Sequence, residues 1–133
     1  MSLILKEKIV YNQELNTDIC KIIFKSEYIS KNAKPGQFVN IKCSDGLNAI
    51  LRRPLSISSV DLDNKMVTVV FQKKGTGTAY LAQKKPGDIL DLIGPLGTYF
   101  DLSENFKNIA VVGGGIGIFP LLFLLEQKQA SHK

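Results

Sequence analysis

The sequence predicts a mainly β fold, an antiparallel barrel or sandwich with one short helix, followed by the opening of an α/β unit. Three observations point there. Six short apolar-rich runs separated by turn signals fill the first hundred residues. Helix-period stretches are scarce among them. From residue 108 onward an apolar strand-like run, a glycine-rich turn and an apolar helix-like run follow one another.

Taken in order, Ile4–Tyr11, Asp18–Lys25, Gln37–Cys43, Pro54–Val60, Met66–Lys73 and Ile89–Gly94 read as the six strands. Asn-Ala-Lys-Pro-Gly at 32–36, Ser-Asp-Gly at 44–46 and Asp-Leu-Asp-Asn at 61–64 supply turn chemistry between them. Thr78–Lys85 carries Tyr80, Leu81 and Ala82 in a helix-compatible run that Pro86-Gly87 ends. Ser103–Lys107 is a polar connector. Beyond it Asn108–Val112 reads as a strand, Gly113–Gly117 as a turn and Ile118–Leu125 as a helix with Pro120 in its first turn, where a missing donor costs nothing. A parallel strand needs neighbours and covering helices, and Ile118–Leu125 has no charged side, so this sequence is expected to be a piece of a longer chain. The division that follows is a barrel over residues 1–102 and a linker with an incomplete nucleotide-binding unit over 103–133.

Composition narrows the classes. The 133 residues suit one domain, with roughly two-thirds of the unfolded surface available for burial. A 44% hydrophobic share with 22% charged residues excludes disorder. Seventeen Lys and Arg against twelve Asp and Glu give +5. The lysines are scattered with no run longer than two, so they read as a solvated face, and no nucleic-acid partner is expected. Lys6 and Glu7 interrupt any apolar leader, so neither a signal peptide nor a membrane partner is expected and the location reads as cytoplasmic. Cys20 and Cys43 form no CxxC, and His132 is the single imidazole, so no metal site is expected; two buried free thiols are.

Four motifs carry chemistry. In Leu51–Ser58 (Leu-Arg-Arg-Pro-Leu-Ser-Ile-Ser), a planar guanidinium, a φ-locked proline and a hydroxyl stand at a strand's start, which suits a diphosphate. Taken alone, exposed charge beside an edge-strand proline explains it better. Gly75-Thr76-Gly77-Thr78, where a strand gives way to the short helix, offers amides and hydroxyls to an anion, or simply a capped turn. Gly94-Pro95-Leu96-Gly97 by itself is a plain tight turn. Gly113–Gly117 spells Gly-Gly-Gly-Ile-Gly, which departs from the dinucleotide fingerprint at Ile118 yet sits between a predicted strand and helix.

In this order the four motifs resemble the ferredoxin-reductase-like flavoproteins, and within them the family of electron-transfer subunits of dihydroorotate dehydrogenase B. The resemblance covers nearly the whole chain. It implies a six-stranded antiparallel Greek-key barrel that binds FAD, then an α/β domain for NAD(H). Residue by residue, it implies that Arg53 clamps the FAD pyrophosphate and that Pro54, Leu55 and Ser56 run past the isoalloxazine, with Ser56 near the reactive ring nitrogen. Leu55 stands where plant-type reductases carry a stacking aromatic. Val70, Phe71 and Gln72 would lie along the cofactor, and Gly77 and Thr78 would cap the pyrophosphate. The family's [2Fe-2S] cluster sits on cysteines that this sequence lacks, so this stretch alone is not expected to run the whole electron relay, and no catalytic residue is singled out. The implied partner is a catalytic dihydroorotate dehydrogenase subunit in a hetero-oligomer used in pyrimidine biosynthesis. Two other readings stand beside it: part of an NADH-dependent ferredoxin or sulfide reductase, or a non-catalytic β-barrel module that associates, with itself or a partner, through Ile118–Leu125.

Overall fold

Alternation along the predicted strands builds the molecule. In the computed structural model, which describes residues 1–47 and 50–131, β1 (Leu3–Glu14), β2 (Ile19–Lys25), β3 (Phe38–Ile41), β4 (Arg53–Asp61), β5 (Met66–Gln72) and β6 (Ile89–Leu96) close a barrel. Their order around it is β1-β2-β5-β4-β3-β6, and every neighbouring pair is antiparallel. His132 lies outside the described residues.

Inward positions follow the period of two: Cys20, Ile22 and Phe24 on β2, Val39 and Ile41 on β3, Val67, Val69 and Phe71 on β5, Leu90 and Leu92 on β6. Each such aliphatic or aromatic side chain contributes about 1.5–3 kcal/mol when fully buried. Gly94 makes room among them, because a Cβ there would come 2.8 Å from Val39 Cγ1. Closure leaves the ring without an edge strand.

Among the described residues three α-helices decorate the barrel: α1 (Glu27–Asn32), α2 (Thr76–Ala82) and α3 (Ile118–Ser131). The sequence predicted one short helix within the barrel region, and α1 is a second. Its cause is local: Ser26 Oγ accepts the Ile29 amide at 3.2 Å and donates to Glu7 Oε1 at 2.9 Å, while Ile29 plugs into the core. Lys31 and Lys65 both bond the exposed Glu27 and hold its carboxyl down to about 2.

Residues 108–112, predicted as a strand, form none. A strand is stabilised by a neighbour's ladder. The six barrel strands already pair with one another, so among the described residues nothing is left for this segment, and Val112 is 93% exposed. The expected turn and helix do form, as a 3-10 turn at Gly115–Gly117 running into α3. α3 lies against β4, with Phe123 joining the barrel's core cluster and Glu126 Oε2 accepting from Ser59 Oγ at 2.7 Å. Among the described residues, no helix is long and apolar enough to cross a membrane.

Candidate functional site

Two strands that part company make the site. The β4–β5 ladder runs only from Ile57↔Val69 to Asp61↔Met66. Beyond it Arg53–Ser56 continue along β3, from Ile41↔Arg53 to Phe38↔Ser56, and Val70–Gln72 continue along β2, from Lys21↔Val70 to Ile19↔Gln72. Ile57 donates its amide to Gln37 on the β3 side, so by strand alternation the Ser56 amide points the other way, toward β5. Lys73 donates to Asp18 on the β2 side, which by the same rule turns the Gln72 and Val70 amides toward β4. The wall therefore opens with backbone donors on both lips.

A cleft of about 280 Å³ occupies this opening, lined by Pro54, Leu55 and Ser56 from β4 and Val70, Phe71 and Gln72 from β5. Thr78 of α2 and Lys74 also border it, and Ile116, Gly117 and Pro120 wall the far side. Seven of the nine predicted site residues thus share one cavity. The other two, Arg53 and Gly77, are their chain neighbours and touch each other: a Cβ on Gly77 would stand 3.3 Å from Arg53 Nε and 3.1 Å from Cys43 Cβ. The absent side chain lets the first turn of α2, whose amides have no intrahelical acceptor, sit directly against the guanidinium stem.

The adjacent arginines do different work. Arg52 grips Asp91, with its guanidinium 2.7 Å from the carboxylate and 2.9 Å from the main-chain carbonyl. Among the described residues Arg53 finds backbone acceptors, donating to the Leu51 carbonyl at 3.1 Å and more weakly to that of Arg52 at 3.5 Å. Among the described residues no carboxylate pairs with it, which leaves donors for a phosphate. Cys43 beneath it is fully buried, and burial pushes its thiol up against the lowering influence of Arg53, Arg52 and Lys84. It is a neutral packing group, and Cys20 is likewise a buried free thiol raised by burial.

One expectation changes in detail. The Thr78 hydroxyl, predicted to reach an anion, accepts the Lys74 and Gly75 amides at 2.9 and 3.1 Å and donates to the Gly75 carbonyl at 3.2 Å. A hydroxyl so engaged shapes its own turn, leaving the backbone of 77–78 as the donor group there. Lys74 escaped the sequence reading, although its place directly before Gly75 was a signal. Ile116 and Gly117, read as part of a glycine-rich turn, and Pro120, read in the first turn of the helix after it, were not expected at this cleft, which they wall.

A barrel of this topology with a cation-flanked cleft at a split between strands defines a flavin-binding oxidoreductase domain, and the chain belongs to the oxidoreductase FAD-binding domain family, whose model matches residues 6–100. More particularly, curated relatives at 34–41% identity are electron transfer subunits of dihydroorotate dehydrogenase B. The subunit of Bacillus mycoides is 38% identical over 126 residues, covering 92% of this chain and 49% of the relative. That of Fusobacterium nucleatum is 39% identical over 118 residues, covering 87% and 46%. The chain thus spans about half the length of the curated relatives it matches. Among solved structures, a chain of an NADH-dependent reduced ferredoxin-NADP oxidoreductase superposes with a TM-score of 0.77 at 35% identity, covering 86% of this chain and 41% of that one. The Amycolatopsis cytochrome P450 reductase shares the fold at a TM-score of 0.81 and 18% identity, covering 98% and 40%.

FAD is the cofactor of this family, and the cleft suits it: a cation without a carboxylate partner, a glycine a Cβ would obstruct, and two strand edges with outward amides. A [2Fe-2S] cluster is different. Such clusters take four cysteine ligands, or two with two histidines, and the chain has two cysteines, both buried. The residues present do not fit one.

Proposed function

We propose that the chain is the flavin-holding part of an electron-transfer subunit serving dihydroorotate dehydrogenase B in pyrimidine biosynthesis. In this reading residues 1–102 are the FAD domain and residues 103–133 open a nucleotide-binding domain for NAD(H). The observation that carries it is the contact of Arg53 with Gly77, each one residue from the cleft-lining Pro54 and Thr78.

Arg53 would hold the pyrophosphate through its guanidinium, and the amides at Gly77 and Thr78 would complete the anion site. Leu55 covers a face of the ring system without the polarity of an aromatic hydroxyl. Ser56 offers its amide and hydroxyl to the ring edge, and the Val70 and Gln72 amides hold the opposite lip, with Phe71 behind them. When bound, FAD accepts a hydride as an electron pair and gives electrons up singly. The barrel's part is to fix the ring and exclude water from one face.

The partner is the catalytic dehydrogenase subunit, and the working location is the cytoplasm, where two reduced thiols are stable. Exposed Ile118, Leu122 and Leu125 on α3 are the surface for such association or for self-association. A second reading, part of an NADH-dependent ferredoxin reductase, is supported by the 35% identity to the bifurcating oxidoreductase chain. Reconstitution tests the flavin: the purified chain incubated with FAD and desalted is expected to keep a yellow flavin spectrum near one equivalent, and a colourless protein overturns the reading. Pull-down with a catalytic dihydroorotate dehydrogenase subunit against a ferredoxin then separates the two assignments.

A further inference from the structure

We propose that Arg52 is a positioning residue that aims Arg53 by pinning the entry to β4 to the same residue, Asp91, that holds the exit of β3. The proposal rests on the flavin reading of the cleft. The main-chain carbonyl of Asp91 on β6 accepts two donors: the Lys42 amide at 2.8 Å, where the chain leaves β3, and the Arg52 guanidinium at 2.9 Å, where it enters β4. The Asp91 carboxylate takes the second Arg52 nitrogen at 2.7 Å, making the grip two-pronged, and both side chains are mostly shielded, at 23% and 29% exposure.

Each pinned end supports one half of the anion site. Directly after Lys42 comes Cys43, whose Cβ lies 3.1 Å from the place a Gly77 Cβ would take, so this end forms the floor under the first turn of α2. At the other end, the carbonyls of Leu51 and Arg52 are the acceptors that hold the Arg53 guanidinium. One aspartate on a strand two places away in the sheet therefore sets the spacing between the cation and the helix start. Neutralising Arg52 also relieves repulsion between neighbouring cations, leaving Arg53 as the charge a diphosphate meets.

The test compares FAD with riboflavin, which has the ring but no phosphate, by fluorescence titration of the full chain and its variants. Arg52→Gln is expected to weaken FAD by about tenfold, as for loss of a charge-assisted hydrogen bond, with riboflavin affinity unchanged. In an Arg53→Ala background the same change is expected to add less than about twofold, because coupled residues are non-additive. Asp91→Asn, which keeps the carbonyl node, should weaken FAD by about threefold, and serves if Arg52→Gln folds poorly. Equal losses for both ligands, or a full additive loss on top of Arg53→Ala, would mean that Arg52 supports the fold generally or touches phosphate itself, and overturns the proposal. If Arg53→Ala weakens FAD binding while Arg52→Gln leaves it unchanged, the positioning role alone falls. If Arg53→Ala leaves FAD binding intact, the part given to Arg53 falls and takes the proposal with it, whereas failure of the unmutated chain to bind FAD overturns the flavin reading itself.

Discussion

The barrel and the segment after it use similar proportions of apolar residue to different ends. In the barrel every strand finds two partners, so alternating side chains are driven inward and Phe24, Ile22, Val69 and Leu92 reach zero exposure. After residue 102, Ile109, Val112, Ile118, Leu122 and Leu125 stay 42–93% exposed, although this stretch is the more continuously apolar of the two. Among the described residues only Phe123 and Leu124 are buried there, on the helix that packs against β4. Hydrophobic content thus does not decide burial. The availability of a partner surface does.

The comparison breaks most visibly at the one joint between the regions. Phe123→Ala is expected to cost about 3–5 kcal/mol in urea unfolding, the range for a buried phenylalanine, and a cost under about 1 kcal/mol would mean that the barrel does not depend on α3. Within the barrel, Arg53→Ala should weaken FAD by about a hundredfold with thermal stability little changed, since it removes a charged bidentate donor and no core contact. Gly77→Ala should follow at about tenfold, because the new Cβ must displace Cys43 or the Arg53 stem by a few tenths of an ångström. On the segment's exposed face Leu122→Glu should leave stability within about 0.5 kcal/mol while reducing any association seen by light scattering. The smallest effect is electrostatic and belongs to the barrel's flank. Glu27 is held at about 2 against an ordinary 4.5, so its ion pairs contribute above pH 4.5 and their contribution is lost as pH falls toward 2. Glu27→Gln should accordingly flatten the acid limb of a melting-temperature profile, leaving its neutral part slightly lower.

How far the sequence was legible depends on how local each cause was. All six strands could be read because alternation and turn residues lie within the segments themselves. α1 was missed because it spans six residues with too little periodicity to notice, although the Ser26 cap and the Glu27–Lys31 spacing were its signal. Asn108–Val112 looked like a strand because an apolar run carries no information about whether a neighbour exists. At the site, the motif Arg52-Arg53-Pro54 announced a cation but could not divide labour between its two arginines. The residue that does so, Asp91, is 39 positions from Arg52 and meets it only through the β4-β3-β6 neighbourhood.

The parting of β4 from β5 has a consequence for how the molecule breathes. Without a ligand the barrel has an unlaced seam, and the Ser56, Val70 and Gln72 amides can trade protons with solvent while the ladder from Ile57↔Val69 onward protects its own. A bound flavin would serve as the missing lacing, so deuterium uptake should slow on both lips together, and the whole ring should melt higher in proportion to the logarithm of cofactor concentration.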